Sequence, residues 1–176
     1  KCHIDHIDKK RWLFAMYTIC FGIMVMLVFG RFLYYGKSFV GGADGLSQVA
    51  PTMQYTGQYY RALLKNILQG NLQIPMWDMS IGFGMNILQV ISFDPVYILC
   101  SALFVHNIAI GIAIYDMLCL YLAGVMFIAL CYNLGCNRYA ALAAALAYIF
   151  NGYILNYCMA QNSFLRLFIV LPMMLL

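Results

Sequence analysis

The chain has 176 residues, of which 65% are hydrophobic, 16% aromatic and 9% charged, with a mean hydropathy of +0.82. Soluble globular domains carry about 25% charged residues, so the composition excludes the ordinary soluble classes and points to an all-α polytopic membrane protein. The net charge of +4 comes partly from Lys9, Lys10 and Arg11, ahead of the first apolar run, where the cluster reads as a topogenic signal and not as a nucleic-acid site.

Residues 1–11 are expected to form a short polar tail. Cys2, His3, Asp5 and His6 lie close in sequence, but a tail this short cannot exclude water or orient ligands, and a solvated tail is the simpler reading. Residues 12–35 are expected to form the first transmembrane helix. Trp12 to Phe29 carry no charge, and at ~1.5 Å per residue they come close to one bilayer crossing. The run has no polar face. Trp12 marks one interface, Tyr34 and Tyr35 the other, and Arg31 can snorkel to the headgroups. The run is long for a signal h-region and no small-residue cleavage site follows, so the helix is read as retained. The positive residues ahead of it place the N-terminus in the cytoplasm and residues 36–94 outside.

That first outer loop concentrates polar groups that are scarce elsewhere. Gly41, Gly42 and Gly45 surround Asp44 with flexible backbone. Pro51 suits the first turn of a helix and Gly70 its end, giving a helix over about residues 51–69. Met53, Thr56, Tyr60, Leu63, Leu64 and Ile67 fall on one face; Gln54, Gln58, Arg61, Lys65 and Gln69 fall on the other. Arg61 and Lys65, one turn apart, are what a lipid phosphate would meet, or equally any anionic headgroup. Residues 70–86 lack periodicity and read as an irregular interfacial loop. Asp94 precedes Pro95 as a helix N-cap, and residues 95–105, too short to span, read as a re-entrant or interfacial helix.

Residues 107–133 are long enough to cross, with Asp116 as their only charge. A charge at membrane depth is a functional hypothesis by default; a structural role or a pairing with Arg166 is the preferred alternative. A turn containing Arg138 leads to a third crossing over residues 139–157, whose Ala-rich start permits close helix approach. Residues 163–176 begin a fourth. The chain opens on Lys1 and closes within an apolar run at Leu176, so further helices are expected downstream. The seven Cys sit mostly within apolar runs without metal-ligand spacing, so neither disulfide nor zinc is expected. Phosphate-loop glycines and a GxSxG elbow are absent from the sequence.

Asp44 is the carboxylate best placed for chemistry on the outer face. It suits a general base that takes a proton from an acceptor hydroxyl, or an Asx turn with Gly45. Arg61, Lys65 and Arg166 suit stabilisation of a departing phosphate. Asp78 suits acceptor binding, a shared divalent ion with Asp44, or a turn cap.

The ordered set Asp44-Gly45-Leu46-Ser47-Gln48, Pro51, Arg61-Ala62-Leu63-Leu64, Trp77-Asp78 and Gly82-Phe83-Gly84-Met85-Asn86 resembles the first extracellular loop of the YfhO family. Leu122-Ala123-Gly124, Ala140-Ala141-Leu142, Ala147-Tyr148, Gly152-Tyr153 and Leu171-Pro172 recur in the same order, so the resemblance covers nearly the whole chain. It implies the N-terminal part of a longer type C (GT-C-like) glycosyltransferase of the bacterial cell membrane. Such an enzyme takes a sugar from an undecaprenyl-phosphate donor to a cell-surface polymer such as lipoteichoic acid, and the piece alone is expected to be inactive. Asp44 matches the family's catalytic acid, with Gln48, Arg61, Lys65, Trp77, Asp78 and Arg166 as candidate substrate or lipid-phosphate contacts. Many family members carry an acid at the Arg166 position, a departure that weakens any carry-over there. Mg²⁺ or Mn²⁺ is left open, since the loop has no DxD pair. Two other functions remain: a transporter or flippase for a lipid-linked precursor, and a non-catalytic membrane subunit.

Overall fold

The computed structural model describes every residue except Lys1, Ala43 and Leu72, with residues 2–11 described by their backbone only. The chain is 73% helical. Six α-helices carry the fold: α1 Cys2–Tyr34, α2 Ala50–Leu68, α3 Pro95–Leu103, α4 Ile108–Asn133, α5 Arg138–Ile149 and α6 Leu165–Leu175. The strands described are β1 Trp77–Asp78 and β2 Met85–Asn86, an antiparallel ribbon with Trp77 opposite Asn86 and Asp78 opposite Met85. The chain divides into two compact units, one of residues Lys1–Ser38 with Asp116–Leu176, the other of Phe39–Tyr115.

Helix α1, in the first unit, and α4, which runs from the second unit into the first, contain apolar stretches, Trp12–Tyr34 and Ile108–Asn133, of 23 and 26 residues. At ~1.5 Å per residue each exceeds the ~30 Å hydrocarbon core. The helices meet where Tyr17, fully buried, donates its hydroxyl to the Tyr121 carbonyl at 3.0 Å. Gly124 makes that approach possible, because a Cβ there would collide with the Tyr17 hydroxyl and ring. Small residues at a helix seam let side chains and backbones close in this way. Arg138, at the start of α5, lies over the Trp12 ring at 5.0 Å, so the start of the α1 apolar stretch and the α4–α5 turn share one end of this unit.

Two expectations change here. The helix of α1 already begins at Cys2, so the polar N-terminal residues are continuous with it and do not form a separate tail. The cluster of Cys2, His3, Asp5 and His6 lies outside the described side chains. The expected third crossing over residues 139–157 is broken after Ile149. Asn151 turns its side chain onto the backbone, donating to the Tyr148 carbonyl at 2.6 Å and accepting from the Ile154 amide at 3.0 Å. Asn competes with helical hydrogen bonds in this way. A wide π-helical turn, Ile154–Cys158, follows. The remaining α5 has 12 residues, or about 18 Å, which does not reach across a bilayer.

In the second unit, α2 packs on α3. Gly57 sits directly against the Ser101 carbonyl, and Met53 and Thr56 are fully buried beside it on the same face. The polar face, with Gln54, Gln58, Arg61, Lys65 and Gln69, is exposed along its length. Gly70, at φ +77°, ends α2: its amide reaches the Ile67 carbonyl and the Asn71 amide reaches that of Asn66, the paired bonds of a Schellman motif. Asp94 caps α3, accepting from the Val96 and Tyr97 amides at 2.9 and 3.3 Å. Its second oxygen accepts from the buried Tyr115 hydroxyl at 2.8 Å, which ties the start of α3 to α4.

Candidate functional site

Asp44 takes a right-handed helical conformation and opens a wide π-helical turn, Gly45–Val49, that runs without a break into α2. The flexible glycine loop expected around it, and the Asx turn with Gly45, are therefore replaced by a helix start. Gly45 is buried against Val40, which leaves the carboxylate outside. Asp44 is exposed, and Gln48, one turn on, donates Nε2 to its Oδ1 at 3.3 Å. This amide supports one oxygen while the rest of the carboxylate faces solvent, an arrangement open to an incoming hydroxyl.

Arg61 and Lys65 are exposed on the same continuous helix. They lie about 25 and 30 Å along its axis from Asp44, at ~1.5 Å per residue. A base and a phosphate clamp acting on one reacting bond must stand within a few ångströms of it. Helix α2 thus keeps these cations away from Asp44, and their expected place beside the same leaving phosphate is corrected.

Asp78 is committed elsewhere. Its Oδ1 accepts from the Ser80 amide and hydroxyl at 2.8 and 2.7 Å, and its Oδ2 accepts from the Tyr55 hydroxyl at 2.7 Å. The Ser80 bonds, with the Tyr55 bond after them, hold this carboxyl below the usual carboxylate range. Of the three roles open to Asp78, the structure presents the turn cap. Trp77 is exposed; its indole N–H donates to Met79 Sδ at 3.2 Å, and its ring lies against Gly84. Among the described residues no three His, Cys, Asp or Glu side chains converge as a metal site.

In the first unit, Arg166 is half-buried near the start of α6. Asp116 is fully buried, and neither carboxylate oxygen has a hydrogen-bond partner among the described residues. The expected pairing with Arg166 is thus not formed as a hydrogen bond. Asn162 lies beside Asp116, within electrostatic reach of its carboxylate, and by hydrogen-bond geometry its Nδ2 has no partner among the described residues. Sequence reading did not single out Asn162; a polar side chain buried opposite a buried acid carries no local signature. Two apolar clefts of this unit, of about 450 and 380 Å³, are lined by Leu13, Ile128 and Tyr132 and by Tyr153, Phe164 and Phe168 among others, and by no predicted site residue.

The fold and site together define a mostly helical protein with two helices long and apolar enough to cross a membrane. No family model, curated protein or solved structure matches the chain.

Proposed function

We propose that the chain is part of a multi-pass bacterial cell-membrane glycosyltransferase of the GT-C-like class, its N-terminus cytoplasmic. In this reading it moves a sugar from an undecaprenyl-phosphate donor to a surface polymer such as lipoteichoic acid on the outer face. The observation that carries it is Asp44. This exposed carboxylate, braced by Gln48, lies in a unit that the chain enters from one apolar helix and leaves through another. The likeness of this stretch to the YfhO first outer loop adds the reaction class.

In the proposed step the acceptor hydroxyl oxygen forms a bond to the anomeric carbon and its proton passes to Asp44. The bond from that carbon to the carrier phosphate breaks, and the phosphate keeps the electron pair. Arg61 and Lys65 serve headgroup phosphates along α2 and not the leaving group. In membranes holding the full-length protein, Asp44→Asn should lower sugar transfer about 10²–10⁴-fold without lowering membrane insertion; transfer at the native rate would overturn the assignment.

A second reading, transport or flipping of a lipid-linked precursor, is favoured by Asp116 and Asn162. Buried polar groups without partners at membrane depth are a transporter feature. Loss of function in Asp116→Asn with Asp44→Asn unaffected would select it.

A further inference from the structure

Between Lys65 and Asp94 the only charged side chain is Asp78, and all of its bonding is turned inward to Ser80 and Tyr55. The ribbon built on it therefore presents no free charge at its tip. What it does present is apolar: Met76, Trp77, Met79 and Phe83 are all exposed, Phe83 completely. Phe83 has φ +66°, a left-handed conformation that bulky residues avoid. Such strain persists only where its surroundings enforce it. Here β1 and β2 pair, Asp78 fixes the turn, and Gly84 admits the Trp77 ring where a Cβ would stand 2.8 Å from its Nε1. The tip is thus a held shape, with a phenyl ring aimed away from the protein.

Chain connectivity says what lies outside that tip. The unit begins at Phe39, five residues after α1 ends at Tyr34, and it ends at Tyr115, inside α4. If α1 and α4 cross the bilayer, both attachments leave the same membrane face, and the short link from α1 spans less than about 20 Å. Residues 39–107 are thereby tethered at both ends to one face of the membrane. Amphipathic aromatic groups concentrate at the headgroup level, and apolar groups beside them enter the top of the acyl layer by about 5–10 Å.

We propose that the ribbon tip, with Phe83 as its wedge and Trp77 at the headgroup level, is a membrane-interface anchor whose ligand is the lipid bilayer itself. This rests on the reading of α1 and α4 as membrane-spanning. The anchor sets how close the outer unit, and Asp44 with it, stands to the surface.

The chain has two tryptophans, which supply the test. The full-length protein, with any tryptophans beyond this chain replaced by phenylalanine, is reconstituted into phosphatidylcholine–phosphatidylglycerol vesicles with and without lipid brominated near the top of its acyl chains. In Trp12→Phe protein, Trp77 should lose most of its emission to the brominated lipid and resist aqueous iodide. Adding Phe83→Asn, which tolerates the left-handed conformation, should shift Trp77 emission to the red and restore iodide quenching while leaving the circular dichroism unchanged. Trp77→Phe protein reports on the membrane reading through Trp12. Trp12 quenched by lipid with Trp77 open to iodide overturns the anchor and leaves the spans standing. Trp77 shielded from both quenchers means that protein covers the tip, which also overturns it. Trp12 and Trp77 both unquenched by lipid overturns the membrane reading from which the anchor follows.

Discussion

The hydroxyl of Tyr55 donates to Oδ2 of Asp78 at 2.7 Å, across 23 positions of sequence. This bond ties α2 to the ribbon, and the Tyr59 hydroxyl, donating to the Pro75 carbonyl at 3.2 Å one turn on, runs beside it. Burial, then the Asp78 contact, pushes the Tyr55 phenol up to about 12, while Asp78 is held low. The Asp78 contribution is complete above the ordinary carboxylate pKa, about 4, and is lost as pH falls through its lower folded value. The Tyr55 contribution is complete below about 10 and is lost as pH rises through about 12. Amide exchange in the ribbon should therefore be slowest and flat between those limits, and should speed up at both ends after correction for intrinsic exchange. Tyr55→Phe should raise it several-fold at neutral pH with helix content unchanged.

Gly57 fixes the spacing of α2 and α3. A Cβ there would strike the Ser101 carbonyl, which is backbone and cannot rotate away. Gly57→Ala should cost about 1–3 kcal/mol in detergent unfolding. Gly22→Ala, where nothing lies within 4 Å, should be neutral or stabilising by up to about 1 kcal/mol. Equal effects of the two would show that the α2–α3 seam is not closely packed.

Asp94 serves two structures at once, the α3 N-terminus and the Tyr115 hydroxyl. Asp94→Ala should lose the cap and the bond from the buried Tyr115 hydroxyl, together about 2 kcal/mol or more. Asp94→Asn, which keeps a side-chain acceptor, should recover most of that loss. The measurement is the unfolding midpoint of the two variants side by side.

Asp116 is the reverse case, a buried carboxyl whose oxygens find no hydrogen-bond partner among the described residues. Replacing such a group with an apolar one removes a desolvation cost of about 1–3 kcal/mol. Asp116→Leu should accordingly raise the thermal midpoint of the purified protein. A stabilised protein that loses function would mark Asp116 as a group kept for its chemistry, and a destabilised one would show that Asp116 is bonded in the native state.

Much of the architecture is local and can be read from the chain. The absence of charge from Trp12 to Phe29 and the single charge of α4 mark the two long apolar helices. The alternation of Met53, Thr56 and Tyr60 with Gln54, Gln58 and Arg61 marks α2 and its two faces. Asp94 before Pro95 and Gly70 after Leu68 mark helix ends by stereochemistry alone. The break after Ile149 had a weak signal, the Asn151-Gly152 pair, which an otherwise apolar stretch outweighed.

The sequence by itself determined the helical class, the two long apolar helices and the amphipathic face of α2, because hydrophobic periodicity and capping act within one or two turns. Only the tertiary structure decided that Asp78 is used up by Tyr55 and Ser80, and that Asp116 and Asn162 are buried side by side. It also joined the Asp44 turn to α2 as one helix, which puts Arg61 and Lys65 far from the carboxylate they were expected to assist. These outcomes depend on how far apart groups stand after the chain has folded, and periodicity carries no record of that distance.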